Sequence, residues 1–393
     1  MYEPFHGDGP YPASGAWVPG DAAGNRRFFT FAVDRPFSLE CGERLSEVTM
    51  AYETWGELND DASNAVLVCH AWTGDSHAAG PAGRGHPTPG WWEGVVGPGH
   101  AVDSSRHFVV CVNVLGGCQG STGPASPHPV DGRPYALRFP VVTIRDMVRA
   151  QALLADHLGV ARWHAVVGGS MGGMQALEWA IMFPRRVGGL AAIATNAEAS
   201  AQQIAWGAIG RRALWMDPNF AGGDYYEAGP DGGPWRGLAV ARQIAQVTFR
   251  SDTKFNEKFG RGLVEDNVFE DGIDLFSCFD VEGYLDYHGD KLVRRFDANS
   301  YLYIGKAMDL HDVGRARGGL DQALARIACP VLTVSIDSDI LYPAYQQEFI
   351  HQSVAGRDQR TEHVVVGSAE GHDGFLIETV AVGSAIEGFL RRL

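Results

Sequence analysis

Apolar and polar positions divide the chain into two kinds of segment. Short apolar runs recur at "AVLVCHA" (65–71), "HFVVCVNVLGG" (107–117), "WHAVVGG" (163–169), "VGGLAAIAT" (187–195), "PVLTVSI" (330–336) and "EHVVVG" (362–367). Runs this short and this apolar fit strands buried on both faces of a parallel sheet. Two further β-rich segments, "RFFTFAV" and "SEVTMAYETWG", precede them. Between the strands, "TIRDMVRAQALLADHLG" (143–159) repeats its apolar positions at helical spacing and ends on a glycine where a C-cap falls. "SMGGMQALEWAIMF" (170–183) follows its strand with almost no linker. The alternation predicts an α/β protein with a mostly parallel sheet.

That rhythm stops between 197 and 315, where the chain is rich in Ala, Gln, Arg and aromatics and carries a Gly/Pro-rich interruption, "AGGDYYEAGPDGGPWRG". The expected organisation is an irregular arm (1–26), a core domain (27–196 with 316–393) and a helical lid insertion (197–315) over the C-terminal edge of the sheet.

Composition narrows the function classes. The 393 residues carry a formal charge of −15, which argues against a nucleic-acid or anionic-membrane surface. No apolar run reaches the length of about 18 residues that a spanning helix needs. The first residues lack the basic region and apolar core of a secretory leader. Six cysteines are scattered without a CxxC pair, and no metal-ligand spacing is present. Cys69, Cys111 and Cys329 sit in or beside apolar runs, as buried free thiols do. The expectation is a reduced, cytoplasmic protein with no bound cofactor.

Candidate chemistry centres on Gly168-Gly169-Ser170-Met171-Gly172, a G-x-S-x-G pentapeptide. A chain with 50 glycines offers such a match by chance, so its flanks decide. Here a strand precedes it and a helix follows, the context in which the serine occupies a strained turn. Gly168 and Gly172 would let neighbouring backbone approach, and Gly173 would let the helix pack close to the sheet. No lysine follows the glycines, which excludes a phosphate-binding loop, and their spacing does not fit a dinucleotide fingerprint. A serine hydroxyl needs a histidine to take its proton and a carboxylate to orient that histidine. Downstream, "DSDILYP" offers Asp337 and Asp339 after one strand, and "EGHDGF" offers His372 after the next. The residues alone leave the two aspartates even. Trp72 and Thr73, after the "AVLVCH" strand, are candidate backbone donors to an oxyanion. His70 and Asp75 spell H-x4-D, which we read as accidental.

The blocks "CHAWTGDSH", "GHPTPGWWEGVVGPG", "NVLGGCQGSTGPAS", "VVGGSMGGMQALEW", "RFDANSYLYIGKAMDLHDVGRARGG", "DSDILYP" and "EGHDGFLIET" occur in this order. Together they resemble the homoserine O-acetyltransferase family from about residue 27 onward. The resemblance implies an α/β-hydrolase fold and transfer of an acetyl group from acetyl-CoA, as co-substrate, to the hydroxyl of homoserine. It implies a ping-pong route through an acetyl-serine and a place in methionine biosynthesis. It assigns Ser170 as nucleophile, His372 as base and Asp339 as the orienting acid. It makes the N–H groups of Trp72 and Met171 the oxyanion donors. Arg250, in "TFRS", would pair with the amino-acid carboxylate, and Asp373 would hold its amine. A zwitterionic acceptor needs such a separated cation and anion. The resemblance also implies a homodimer paired through the lid helices.

Three departures stand out. The family's "HALTG" is "HAWTG" here, "RGRGG" is "RARGG", and "TYRS" is "TFRS". The bulky Trp72 beside the oxyanion hole bears on the choice of acceptor and donor. Serine O-acetyltransferases and succinyl-CoA-dependent acyltransferases on the same scaffold are the alternatives. An esterase shares the triad but lets water reach the acyl-enzyme.

Overall fold

The computed structural model describes residues 9–263, 279–355 and 360–393. Cys278 and parts of the expected arm and insertion lie outside them. Eight strands form the central sheet: β1 (Arg27–Phe31), β2 (Val48–Trp55), β3 (Ala65–Cys69), β4 (Phe108–Val112), β5 (Ala165–Gly169), β6 (Leu190–Ile193), β7 (Val331–Ile336) and β8 (Thr361–Val366). Their spatial order is β1-β2-β4-β3-β5-β6-β7-β8. The six strands from β4 to β8 in that order run parallel, while β1 pairs antiparallel with β2, and β2 with β4. Every residue of β3, β4, β5, β6 and β7 is buried, which is why these segments read as unbroken apolar runs.

Helices cover both faces. They are α1 (Ile144–His157), α2 (Met171–Met182), α3 (Ala201–Met216), α4 (Trp235–Phe249), α5 (Asp252–Lys258), α6 (Asp280–Val293), α7 (Ala298–Asp309), α8 (Leu320–Leu324), α9 (Ala344–Ala355), α10 (Gly374–Ile377) and α11 (Thr379–Leu390). Leu67 and Cys69 of β3 face one layer with Met174 and Leu177 of α2. Val66 and Val68 face the other with Val382 and Ile386 of α11. Helix α1 begins at Thr143, whose side chain and that of Asp146 form a reciprocal capping box. Gly159 then adopts φ +76°, the left-handed conformation expected after a helix end.

Helices α3 to α7 lie between β6 and β7 in the chain, in the stretch where the strand–helix rhythm stops. The Gly/Pro-rich interruption is anchored there: the hydroxyls of Tyr225 and Tyr226 donate to Asp297 at 2.8 and 3.1 Å. Asp297 also caps α7 and accepts from Ser14 Oγ at 2.8 Å. Residues 9–26 hold no helix or regular strand, yet they are tied down, with Tyr11 stacked on Trp235 at 4.6 Å.

Candidate active site

Strand β5 delivers Ser170 to the carboxyl end of the sheet, where open α/β sheets gather their sites. Ser170 has φ 57° and ψ −126°, an unfavourable conformation for a residue with a side chain. The strain is held by packing around absent side chains. A methyl group on Gly172 would sit 2.1 Å from the Cys69 carbonyl oxygen at the end of β3, and one on Gly168 would sit 2.2 Å from the Gly172 carbonyl. At Gly173 it would meet Thr195 at 2.6 Å. The Ser170 carbonyl accepts from the Thr195 hydroxyl at 2.8 Å, and its N–H donates to Ile193 at 2.9 Å.

The structure brings Ser170, His372 and Asp339 into one line. His372 Nε2 lies 2.9 Å from Ser170 Oγ, and His372 Nδ1 lies 2.7 Å from Asp339 Oδ2. The other Asp339 oxygen accepts the N–H groups of Leu341 and Tyr342, each at 2.8 Å. With both oxygens engaged, the carboxylate has one orientation in which to hold the imidazole. The rings of Tyr342, Phe375 and Phe249 surround that imidazole at 4.9, 5.3 and 5.8 Å. All three relay residues are buried.

Asp337 serves a different purpose: its Oδ1 accepts the Ser368 N–H at 2.9 Å, bracing the loop that leads to His372. His70 is also structural. Its Nε2 accepts from the Val114 N–H at 3.1 Å and its Nδ1 donates to the Ala71 carbonyl at 2.7 Å. These bonds fix the neutral tautomer, and burial lowers its pKa. Asp75 accepts the His77 N–H at 2.8 Å. The H-x4-D pair therefore holds loops rather than a reacting group.

Trp72 and Met171 flank Ser170. Met171 opens α2, where helix geometry leaves its N–H without an intrahelical acceptor. Trp72 lies on the loop after β3 and lines the same pocket as Ser170. Thr73 follows it, and its carbonyl accepts from Arg295 at 2.9 Å. A chain of buried amides fixes this loop against α2. Trp179 Nε1 donates to Gln151, Gln151 donates to Gln175, and Gln175 donates to the His70 carbonyl, at 2.8, 2.7 and 3.0 Å. Nothing in the spacing of Gln151 and Gln175 marks them; only the packing of α1 on α2 brings them together.

The pocket above Ser170 encloses about 190 Å³. Its walls carry Arg242, Asp373 and Arg295, together with apolar groups of α3, α4 and α7. Burial pushes the Asp373 carboxyl up from its ordinary value, opposed by Arg250 and Arg242. The two arginines differ in kind. Arg250 is paired with Glu370 and, at 3.3 Å, with Asp373, and it does not line the pocket. Arg242 lines it, and among the described residues no carboxylate lies within 4 Å of its guanidinium. Sequence reading singled out Arg250; Arg242 lies eight positions earlier within α4, Arg250 just past its end, and only packing tells which one opens on the cavity. The pocket thus offers a nucleophile relay, two arginines without a carboxylate within 4 Å among the described residues (Arg242 and Arg295, the latter bonded to the Thr73 carbonyl), and the carboxylates of Asp373 and of Asp309, which is paired with Arg211 at 2.6 Å.

The model of the alpha/beta hydrolase fold matches residues 64–379. The homoserine O-acetyltransferase of Thermobifida fusca (strain YX) is 52% identical over 97% of this chain and 98% of its own. That of Clavibacter michiganensis subsp. michiganensis is 51% identical over 96% of each chain. Among solved structures, the homoserine O-acetyltransferase from Bacillus anthracis aligns with a TM-score of 0.84 at 29% identity, covering 93% of this chain and 97% of that one. Esterase E22 aligns equally broadly, with a TM-score of 0.83 at 30% identity over 93% of this chain and 99% of its own. Fold, residue blocks and near-full-length identity agree: the chain belongs to the homoserine O-acetyltransferase family of the α/β-hydrolase fold.

Proposed function

We propose that this protein transfers an acetyl group from acetyl-CoA to the side-chain hydroxyl of L-homoserine, through an acetyl ester on Ser170. The observation that carries the reading is a zwitterion-matched pocket on a serine relay: Arg242 and Asp373 face the cavity into which Ser170 opens. An ester hydrolase needs the relay but has no use for a separated cation and anion.

In the first half-reaction His372 Nε2 takes the Ser170 proton as Oγ attacks the thioester carbonyl, and Asp339 steadies the imidazolium that forms. The N–H groups of Trp72 and Met171 receive the negative charge on the carbonyl oxygen; one such donor is worth about 3 kcal/mol in the transition state. Collapse of the tetrahedral adduct expels the thiolate, which takes the proton from His372. Homoserine then enters with its carboxylate on Arg242, which has no carboxylate partner among the described residues and lies on α4, and its ammonium on Asp373. Arg250 acts behind them by holding Asp373 and Glu370. His372 removes the acceptor hydroxyl proton as that oxygen attacks the acetyl carbon, and it returns the proton to Ser170 Oγ when the Oγ–acyl bond breaks and the acetyl ester leaves on homoserine. The aromatic box around His372 limits the water that would divert the acyl group.

We also propose a homodimer formed through the insertion, where Trp215, Met216, Val240 and Val247 are exposed on α3 and α4. The chemistry is tested by thiol release from acetyl-CoA or succinyl-CoA with homoserine, with serine, and with no acceptor. Release should require homoserine and favour the acetyl donor. Equal release without acceptor would mean hydrolysis, and a faster rate with serine would replace the acceptor.

A further inference from the structure

The pocket wall on the oxyanion loop is built around one indole. Trp72 stacks on Tyr301 at 4.2 Å, with 30° between the rings, and its Nε1 donates to the Tyr301 carbonyl at 3.4 Å. That carbonyl lies one helical turn before Gly305, and the indole lies across this turn of α7. It can do so because residue 305 has no side chain: a methyl group there would sit 2.9 Å from the indole Cζ2. Tyr301 is itself buried, its hydroxyl donating to the Ala241 carbonyl of α4 at 3.2 Å. The indole therefore has a stacking partner, a hydrogen bond and a fitted recess, and its remaining surface lines the cavity over Ser170.

We infer that Trp72, seated against Tyr301 and Gly305, sets the length of acyl group that Ser170 accepts. This rests on the acyl-serine reading above and adds a selecting element to it. The backbone N–H of Trp72 is the proposed contact to the acyl oxygen, so its side chain projects from the residue nearest the acyl carbon. The charged groups assigned to the amino acid, Arg242 and Asp373, come from α4 and from the loop after β8. The indole and α7 are left to bound the acyl tail. A rigid aromatic wall tolerates a methyl group and meets each added methylene as overpacking.

The test reads Ser170 acylation directly, by intact-mass kinetics with p-nitrophenyl acetate, butyrate and hexanoate and no acceptor present. Wild-type protein should label with acetate and at least tenfold more slowly with butyrate. Trp72→Leu should raise the butyrate-to-acetate ratio at least tenfold. Gly305→Ala, which crowds the indole from behind, should slow acetate labelling about fivefold, and this slowing should vanish when combined with Trp72→Leu. An unchanged chain-length ratio in Trp72→Leu overturns the inference. If Trp72→Leu does not fold, an unchanged acetate rate in Gly305→Ala overturns it alone. A wild-type protein that forms no acyl adduct with any ester overturns the acyl-serine reading as well; adducts with an unaltered ratio overturn only the role of Trp72.

Discussion

Around Ser170 the fit is made by side chains that are missing; across the pocket it is made by side chains with specific partners. At the elbow, glycines at 168, 172 and 173 bring carbonyls and helix so close that a single methyl group could not be added. Across the pocket, Trp72 of the loop after β3 meets Tyr301 of the insertion, Arg242 faces the cavity, and Arg250 is neutralised by two carboxylates. The first construction fixes where the reaction occurs and resists substitution everywhere. The second can be altered one side chain at a time without moving the serine. The chemistry should therefore fail abruptly when the relay is altered, and selectivity should drift when the roof is.

The largest effect that separates the two is at the elbow itself. Ser170→Ala should lower kcat by about 10⁶, the scale of removing a triad nucleophile, with no acetyl adduct by intact mass. An adduct persisting in that variant would move the nucleophile elsewhere. Next come the aspartates. Asp339→Asn should lower kcat by about 10⁴, because the amide favours the wrong imidazole tautomer. Asp337→Asn loosens one loop bond and should cost about 1 kcal/mol of stability with the rate nearly kept. Equal losses at both positions would contradict the division of labour between relay and loop brace.

On the roof, Arg242→Gln should lower kcat/KM for homoserine about 10- to 100-fold, the scale of a charged hydrogen bond, while acylation by acetyl-CoA in the absence of acceptor changes far less. Arg250→Gln should have the smaller effect on homoserine and the larger on thermal stability, since it removes the cation 3.3 Å from Asp373 and leaves Glu370 only Lys254, at 2.7 Å. The reverse ranking would restore Arg250 as the carboxylate partner.

The smallest effect concerns the seam between sheet and insertion. Burial pushes the imidazole of His311 down from 6.5 to about 4, and its Nε2 lies 3.2 Å from the Asn196 carbonyl. The unfolded chain then binds more protons than the folded one between those values. Stability is complete above the unfolded pKa and is lost as pH falls toward the folded one, on the order of 2 kcal/mol at pH 5. Melting followed from pH 7.5 to 5 should show a steeper decline in the wild type than in His311→Gln. Parallel curves would remove His311 from the acid response.

Much of the elbow was legible because its signals are local. Strand, G-x-S-x-G and helix follow one another without interruption, and the glycines state where backbone must approach backbone. The ends of β7 and β8 were equally plain as apolar runs, which placed Asp337, Asp339 and His372 near one edge. Spacing alone left the two aspartates even; the family resemblance pointed to Asp339, and the structure sets its Oδ2 2.7 Å from His372 Nδ1 while Asp337 braces the Ser368 loop. The pocket roof was harder for the same reason. Arg242 and Arg250 lie on or beside one helix with the same chemistry, and tertiary packing alone turns one to the cavity and the other to Glu370. The amide chain from Trp179 to His70 was invisible because each of its glutamines looks like any polar helix residue.

His372 follows Ser170 by 202 residues, and Asp339 reaches the site only after the whole helical insertion has been traversed. During synthesis, the serine elbow and its neighbouring strands emerge well before any base can pair with them. A chain that does not yet include Asp339 and His372 therefore carries a serine hydroxyl with no base to activate it. The order in which the chain is made leaves the nucleophile unactivated until the helices that wall its pocket have been synthesised.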